Sequence, residues 1–542
     1  MRSSGSRLCT QISIGQFELA SEPLPAIWTR LPNGSDIRGV AFDPAATDNS
    51  KANLTQLTVS RIGAAFVDFL ARNATDESGV TVALGHDGRL SAEFMIDNVS
   101  RGIMQAGATR VVSFGLASTP AMFMSTITEG HKYTGAIMLT ASHLPSERNG
   151  LKFFTKDGGL ESADIKWIIA RAAFLAEQDA EYPKANIDTV DFMSVYAGIL
   201  VEKIRSATGK QCVSLNALEG LHLIVDAGNG AGGFFVDKVL KPLGAKTDGS
   251  QFLDSDGTFP NHPPNPEDKQ AMAMARDALL AARADMCIVF DTDVDRAGIV
   301  DASGREINRD RLIALLSAIV LRETPGVEIV TDSVTSDGLA SFIAAKGGRH
   351  HRFKRGYRNV INEAQKRGSP FAIETSGHGA LQENHYLDDG AYLVVKILIE
   401  LAVNGLESIT SLLSDLQEPV EEEEFRLKIA AEDFKTVGAG VLAHLNAVLD
   451  SPSRAAELGW SRVTPNHEGV RVAVRFPEDE STGWFLIRMS LHDPVMPLNV
   501  QSNSRVGGVR AITQAFLTFL RSDPSVCASL DLTGLEAFIA QE

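Results

Sequence analysis

The chain has 542 residues, 44% of them hydrophobic and 22% charged, an ordinary globular balance with length for three to five domains of about 100–200 residues each. Its net charge of −17 excludes broad nucleic-acid binding, which needs basic surface to displace counterions from phosphates, but leaves room for a small anionic substrate where bases cluster. Cys9, Cys212, Cys287 and Cys527 lie far apart with no CxxC spacing, so neither a cysteine zinc site nor a disulfide framework is indicated, and a reducing compartment fits.

Residues 1–17 carry Arg2, Arg7 and several serines without an acid. Residues 1–28 are therefore expected to be a disordered start, with a targeting segment as the alternative. The expected location is cytoplasmic, or else the plastid stroma. No apolar run is long enough to span a bilayer: Leu312–Leu321 and Tyr392–Val403 are the longest, and Lys396 and Glu400 interrupt the second. Close to the start, "NGSDIRGV" places Arg38 in a glycine-flanked turn.

Three segments then repeat one pattern of apolar strand, loop aspartate, amphipathic helix, glycine and second strand. They begin "VTVALGHDGRLSAEF", "LHLIVDAGNGAGGFF" and "VEIVTDSVTSDGLAS", with loop aspartates Asp87, Asp226 and Asp332. Each is followed by a further apolar strand ending in a polar loop, at Ser142, Asp291 and Glu374. Such alternation predicts α/β domains with largely parallel pairing, and ligands beyond the carboxyl ends of the strands. Beyond them, "DLQEPVEEEEFRLKI" reads as a solvated acidic surface marking a linker. "GVRVAVRF" and "GWFLIRMS" follow as strands of a smaller α+β region.

The strand-end loops carry the chemistry. In "TASHLPSERNGLKFF", Ser142 and His143 follow a buried strand and Lys152 returns after a turn. A Ser-His hydrolase fits poorly, because adjacent side chains diverge and no GxSxG elbow is present. "CIVFDTDVDRAGIVD" sets Asp291, Asp293 and Asp295 where their charges repel unless a cation neutralises them, and their alternation lets three oxygens converge on a hard ion. An EF-hand is excluded, since Arg296 and Ala302 stand at its sixth and twelfth positions. A phosphatase with Asp291 as nucleophile is closer, although Asp295 stands where that motif wants Thr or Val. "AIETSGHGAL" offers Glu374, Ser376 and His378, a carboxylate and hydroxyl suited to vicinal sugar hydroxyls. "HRFKRGYRNV" adds Lys354, Arg355 and Arg358, and "LIRMSLHDP" ends a strand with Arg488, Ser490 and His492, able to cradle an anion.

Taken in order, these loops resemble the α-D-phosphohexomutase superfamily, the phosphoglucomutase/phosphomannomutase enzymes, over roughly residues 30–515. "TASHLP" resembles the family's TASHNP phosphoserine loop, "DTDVDR" its DGDxDR magnesium loop and "ETSGH" its GExSGH sugar loop. "RMSLHDP" stands in place of the R-P-S-G-T-E-P phosphate loop, and "DGTFPNHPPNPE" (256–267) is similar to a further family stretch. Leu144, Thr292, Val294 and Ile373 depart from the pattern, and SLHDP departs most.

The resemblance implies a four-domain α/β architecture: three similar α/β domains (29–195, 196–306, 307–417) and a smaller α+β C-terminal domain (418–542) around a central cleft. It implies a hexose 1-phosphate/6-phosphate mutase for glucose and/or mannose, working through phospho-Ser142 and a hexose 1,6-bisphosphate. Phosphoglucosamine mutase and a metal-dependent sugar phosphatase are the alternatives. Ser142, His143, Lys152 and Arg38 are the implied catalytic residues, and Asp291, Asp293, Asp295 and Ser142 the implied Mg²⁺ ligands. Arg296, Arg358, Glu374, Ser376, His378, Arg488, Ser490 and His492 are expected to bind substrate. Hexose phosphates are the expected partners, without nucleic acid or membrane, for a monomer or homodimer.

Overall fold

The computed structural model describes residues 24–42, 48–73, 79–176, 187–209, 216–476, 480–490 and 493–541. The chain divides into two compact bodies. The first runs to Glu306 and adds Asp389–Ala402; the second comprises Ile307–Asp388 and Val403 onward. Most of the expected leading segment, residues 1–23, lies outside the described residues. Its last part does not precede the domain: Ala26–Thr29 forms a helical turn whose Trp28 is buried in the first core.

The first body holds two mixed sheets. In the larger, Thr81–His86 pairs in parallel with Arg110–Leu116 on one side and Gly135–Leu139 on the other. Arg148–Thr155 then returns antiparallel between Gly135–Leu139 and Asp36–Val40. In the smaller, Leu223–Asp226 and Met286–Phe290 are parallel and Ala297–Asp301 returns antiparallel. The expectation of largely parallel sheets is thus corrected. The strand after each active loop needs only a short turn, so it pairs antiparallel with the strand it has just left.

Amphipathic helices cover the larger sheet. Helix Ala92–Gln105 buries Met95, Val99, Gly102 and Ile103, one face at helical spacing. Gly102 lets it cross helix Gln56–Asn73 closely, since a Cβ there would stand 1.7 Å from Ser60 O. The amphipathic helix expected after Asp226 is present over Ala231–Leu243, wound largely as 3-10 and π turns, with Val236, Val239, Leu240 and Leu243 buried and Asp237 and Lys241 exposed. Its glycines allow close approach: a Cβ on Gly233 would meet Leu253 O at 2.2 Å. Asp389–Ala402, within the stretch expected for the third domain, packs in the first body. Gly390 N donates to Val294 O at 3.2 Å, and Tyr196 Oη donates to Asp389 Oδ1 at 2.7 Å.

The second body also holds two sheets. Glu328–Thr331 pairs in parallel with Arg349–Arg352 and Phe371–Ile373, and Gly379–Leu381 returns antiparallel. The last sheet is wholly antiparallel, in the order Glu421–Lys428, Val495–Ser502, Thr482–Ile487, Val470–Arg475, Trp460–Arg462. The acidic run expected as a linker is therefore an edge strand. Its Phe425 and Leu427 alternate into the core. Glu421 caps helix Gly508–Arg521, accepting from Gly507 N at 2.6 Å and Val509 N at 3.0 Å, where a carboxylate meets the helix dipole favourably. Arg471 ties this sheet to its neighbour. Its guanidinium lies 3.6 Å from the Trp484 ring centroid and donates to Ser333 O at 2.8 Å and Thr335 O at 3.1 Å.

Candidate active site

In the first body, two parallel strands end side by side at Asp87 and Thr140. Thr140 Oγ1 donates to Asp87 Oδ2 at 2.7 Å and accepts from Ser142 N at 2.8 Å. Ser142 takes φ +52°, a left-handed conformation a side-chain-bearing residue adopts only when its surroundings impose it. Arg89 supplies that constraint. Its buried guanidinium donates to Ser142 O, to Leu144 O at 2.8 Å, to Pro145 O at 2.7 Å and to Arg148 O at 2.8 Å. Nε of Arg89 pairs with Asp87 at 3.1 Å. Burial pushes the Asp87 carboxyl up, and the Arg89 charge and the Thr140 hydrogen bond oppose that shift.

The second loop brings three buried carboxylates to the same serine. Ser142 Oγ lies 3.3 Å from Asp291 Oδ2, and oxygens of Asp291, Asp293 and Asp295 all lie within 4.8 Å of one another. Val294, at φ +66°, turns the chain so that the alternate aspartates converge. Thr119, at the start of helix Thr119–Ile127, grips Asp293 twice: Oγ1 donates to Oδ2 at 2.5 Å and the backbone N to the backbone O at 2.8 Å. Lys152 pairs with Asp295 and, at 3.1 Å, with Asp293. Arg296 Nε pairs with Asp291 at 3.1 Å.

Three carboxylates thus face two side-chain cations and retain net negative charge. Asp293 Oδ1 is buried without a hydrogen-bond partner, a cost that a cation would relieve. An all-oxygen donor set suits a hard divalent ion. The residues present fit Mg²⁺.

Arg296 spans the site. One terminal nitrogen meets Asn265 Oδ1 at 3.0 Å; the other lies 2.9 Å from His143 Nδ1 and 3.4 Å from Ser142 Oγ. Since a guanidinium can only donate, His143 Nδ1 accepts, and its exposed ring is neutral with the proton on Nε2. Arg38 pairs with Asp36 at 3.0 Å. It sits opposite Gly150, hence on the sheet face of Lys152 and diagonal to it.

The second body repeats the arrangement. Asp332 and Glu374 end adjacent parallel strands, and Thr375 Oγ1 donates to Asp332 Oδ2 at 2.7 Å, as Thr140 does to Asp87. Glu374 Oε1 accepts from Gly356 N at 2.7 Å. Burial and the neighbouring Asp332 charge push the Glu374 carboxyl up to about 7, against the Arg355 guanidinium. Ser376 Oγ is buried without a partner. His378 Nδ1 pairs with Asp388 at 2.6 Å, its ring stacked on Tyr357. Arg358 lies half-buried in the first turn of helix Tyr357–Arg367.

Arg488, at the end of strand Thr482–Ile487, belongs to this body too. Its Nε has no hydrogen-bond partner, and Glu468 lies 3.8 Å from its Nη1. Glu468 also accepts from Ser333 Oγ at 2.5 Å and Arg355 N at 3.1 Å, so it holds Arg488 beside the basic loop. Ser490 Oγ accepts from Asp493 N at 3.2 Å. His492 lies outside the described residues.

Sequence reading did not assign Arg89, Thr119 or Glu468 to the site. Arg89 follows Asp87 by two residues in "GHDGR", the signal that could have found it. The other two act through partners distant in sequence and carry no local signal.

Residues 29–179, 201–304 and 308–420 match, respectively, alpha/beta/alpha domains I, II and III of phosphoglucomutase/phosphomannomutase. The phosphomannomutase/phosphoglucomutase of Pseudomonas putida is 28% identical over 82% of this chain and 88% of its own. The phosphoglucomutase of Neisseria meningitidis is 28% identical over 84% and 92%. Among solved structures, a phosphoglucomutase/phosphomannomutase family protein from Burkholderia thailandensis superposes with a TM-score of 0.72 at 26% identity, covering 91% of this chain and 97% of that one. The Paramecium phosphoglucomutase parafusin, at 17% identity, shares the fold with a TM-score of 0.66 over 91% and 94%. Together the matched domains span most of the chain, which belongs to the phosphoglucomutase/phosphomannomutase family of the α-D-phosphohexomutase superfamily.

Proposed function

We propose that the chain interconverts hexose 1-phosphates and hexose 6-phosphates of glucose and/or mannose, with Ser142 as phosphoryl carrier and a hexose 1,6-bisphosphate as intermediate. One observation carries this reading: Ser142 is held at φ +52° with Oγ 3.3 Å from Asp291 and 3.4 Å from Arg296. A serine forced into that conformation beside an acidic triad and a guanidinium is poised to bear phosphate.

In the first half-reaction the Oγ–P bond of phospho-Ser142 breaks and a bond forms from phosphorus to the free sugar hydroxyl. The hydroxyl proton passes by way of His143, whose Nδ1 lies 3.3 Å from Ser142 Oγ, to the departing serine oxygen, which leaves as a hydroxyl. After the intermediate reorients, the other phosphoryl group returns to Ser142 Oγ and the proton is given back. Phosphoryl transfer is served mainly by positioning and charge stabilisation, and Arg296 and Lys152 supply positive charge there. Arg38 cannot act as a base at neutral pH and serves by its charge. Asp291, Asp293 and Asp295, with a phosphoryl oxygen on Ser142, would hold Mg²⁺, which when bound neutralises charge on the transferring group.

Glu374, Ser376 and His378 would read the sugar, and Arg296, Arg358, Arg488, Ser490 and His492 its phosphates. No helix among the described residues is long and apolar enough to cross a membrane, and the dispersed cysteines suit the cytoplasm.

The test is an assay of glucose, mannose and N-acetylglucosamine 1-phosphates with Mg²⁺ and a bisphosphate primer. Isomerised 6-phosphates from the first two are expected, with one phosphate on Ser142 by intact mass. Steady release of inorganic phosphate, or normal turnover in Ser142→Ala, would overturn the reading.

A further inference from the structure

The segment Asp256–Glu267 reaches the active site at its far end. Asn265 Oδ1 meets Arg296 at 3.0 Å, and the Glu267 carboxylate lies 3.8 Å from the same nitrogen. Its middle is pinned by His262, whose side chain is fully buried against Asp226, the second of the three strand-end aspartates.

The partners of His262 fix its protonation. Nδ1 lies 2.9 Å from Pro263 O, which can only accept. Nε2 lies 3.0 and 3.1 Å from the two oxygens of Asp226. Those oxygens also accept from Gly228 N at 2.9 Å and Gln251 Nε2 at 2.8 Å, as an ionised carboxylate does. Both ring nitrogens therefore donate, and the side chain is a buried imidazolium. Burial works against that charge, but the hydrogen bond and charge of Asp226, the Pro263 carbonyl and the charge of Asp268 together raise the imidazole above its ordinary value. The Phe252 ring stands edge-on at 5.4 Å, Gly228 backs the ring, and burial keeps the Cys287 thiol near Asp226 neutral.

We propose that His262 is a positioning residue for phosphoryl transfer: its imidazolium, paired with Asp226, fixes the segment carrying Asn265, and Asn265 aims Arg296 at Ser142 and His143. This rests on Ser142 being the phosphoryl carrier. The Arg296 fork is anchored at three corners, Asp291 on Nε, Asn265 on one terminal nitrogen, His143 and Ser142 on the other. Loosening the Asn265 corner swings the last one, and a misplacement of about 1 Å at a reacting group costs on the order of a hundredfold in rate.

The test is a double-mutant cycle with a structural readout beside it. His262→Ala should lower kcat roughly ten- to a hundredfold and leave KM nearly unchanged, and His262→Gln, which keeps an amide N–H for Asp226, should recover part of the loss. In an Arg296→Lys background the His262→Ala cost should vanish. Costs that multiply instead would overturn the proposal. Should His262→Ala fail to fold, the same cycle with Asn265→Ala decides, by the same two outcomes. Independently, ¹⁵N shifts of the wild-type imidazole should show both nitrogens protonated at pH 7; a neutral ring would refute it. Absence of mutase turnover in the wild type would sink the phosphohexomutase reading while leaving the ring's charge state to be read by itself.

Discussion

Arg89 shows how much one buried side chain can fix. Four carbonyls of the Ser142 loop converge on its guanidinium, which also pairs with Asp87. A lysine could offer only three N–H groups from one point, and could not match a planar fork spread over the loop. Arg89→Lys is therefore expected to destabilise the fold by about 1–3 kcal/mol for each buried carbonyl it leaves unsatisfied. It should also lower the fraction of Ser142 carrying phosphate. Denaturant titration and intact mass check the two parts, and a phosphorylated fraction equal to wild type would show that the loop needs no such clamp.

Glu374 makes the pH dependence of this protein predictable in sign. Its carboxyl, pushed up to about 7 by burial and Asp332, is neutral below that value in the fold and ionised in the unfolded chain above about 4.3. Its contribution to stability is therefore full below the unfolded value and lost as pH rises towards 7. Affinity should move the other way, because the ionised carboxylate is the better acceptor for sugar hydroxyls. KM for the hexose phosphate is expected to fall between pH 6 and 8 in the wild type by more than in Glu374→Gln. Parallel KM profiles for the two proteins would remove Glu374 from sugar binding.

At the scale of elements, the strands were legible and the pairings were not. Apolar runs such as Gly135–Leu139 and Met286–Phe290, buried at every position, announce themselves, and so do the polar residues that end them. Whether the next strand returns antiparallel depends on the turn after the loop, which composition does not record. The acidic run 421–424 misled because charge hid a strand whose inward positions begin only at Phe425. The helix after Asp226 was legible from its apolar spacing, but its winding as 3-10 and π turns was not. Gly102 is a glycine inside an α-helix. A Cβ there would stand within 1.7–2.9 Å of three backbone atoms of Ser60, which cannot swing aside as a side chain would. Gly102→Ala should therefore destabilise by about 1–3 kcal/mol through overpacking, despite alanine's better helix propensity. A rise in melting temperature would show that the two helices can separate freely.

At the scale of the molecule, the strand-end motif is used more than once for different chemistry. Asp87 with Thr140 builds the loop of Ser142, the proposed phosphoryl carrier, in one body, and Asp332 with Thr375 builds the loop of Glu374, proposed to read the sugar, in the other. A net charge of −17 is compatible with a phosphorylated substrate because bases are concentrated at such strand ends, Arg488 and Arg355 among them. On the proposed function, this division predicts that binding and phosphoryl carriage are separable. Arg488 belongs to the second body, where burial lowers its guanidinium from the ordinary value and its Nε has no hydrogen-bond partner. Ser142 belongs to the first. A charge-assisted phosphate contact is worth about 1.5–3 kcal/mol, so Arg488→Ala should raise KM for the sugar phosphate roughly 10- to 150-fold. The same variant should still carry one phosphate on Ser142 when primed with the bisphosphate at saturating concentration. Steady-state kinetics and intact mass on one preparation read both quantities. An unchanged KM would show that this strand end holds no substrate phosphate, whereas a lost phosphoserine at saturation would show that the two bodies do not act separately.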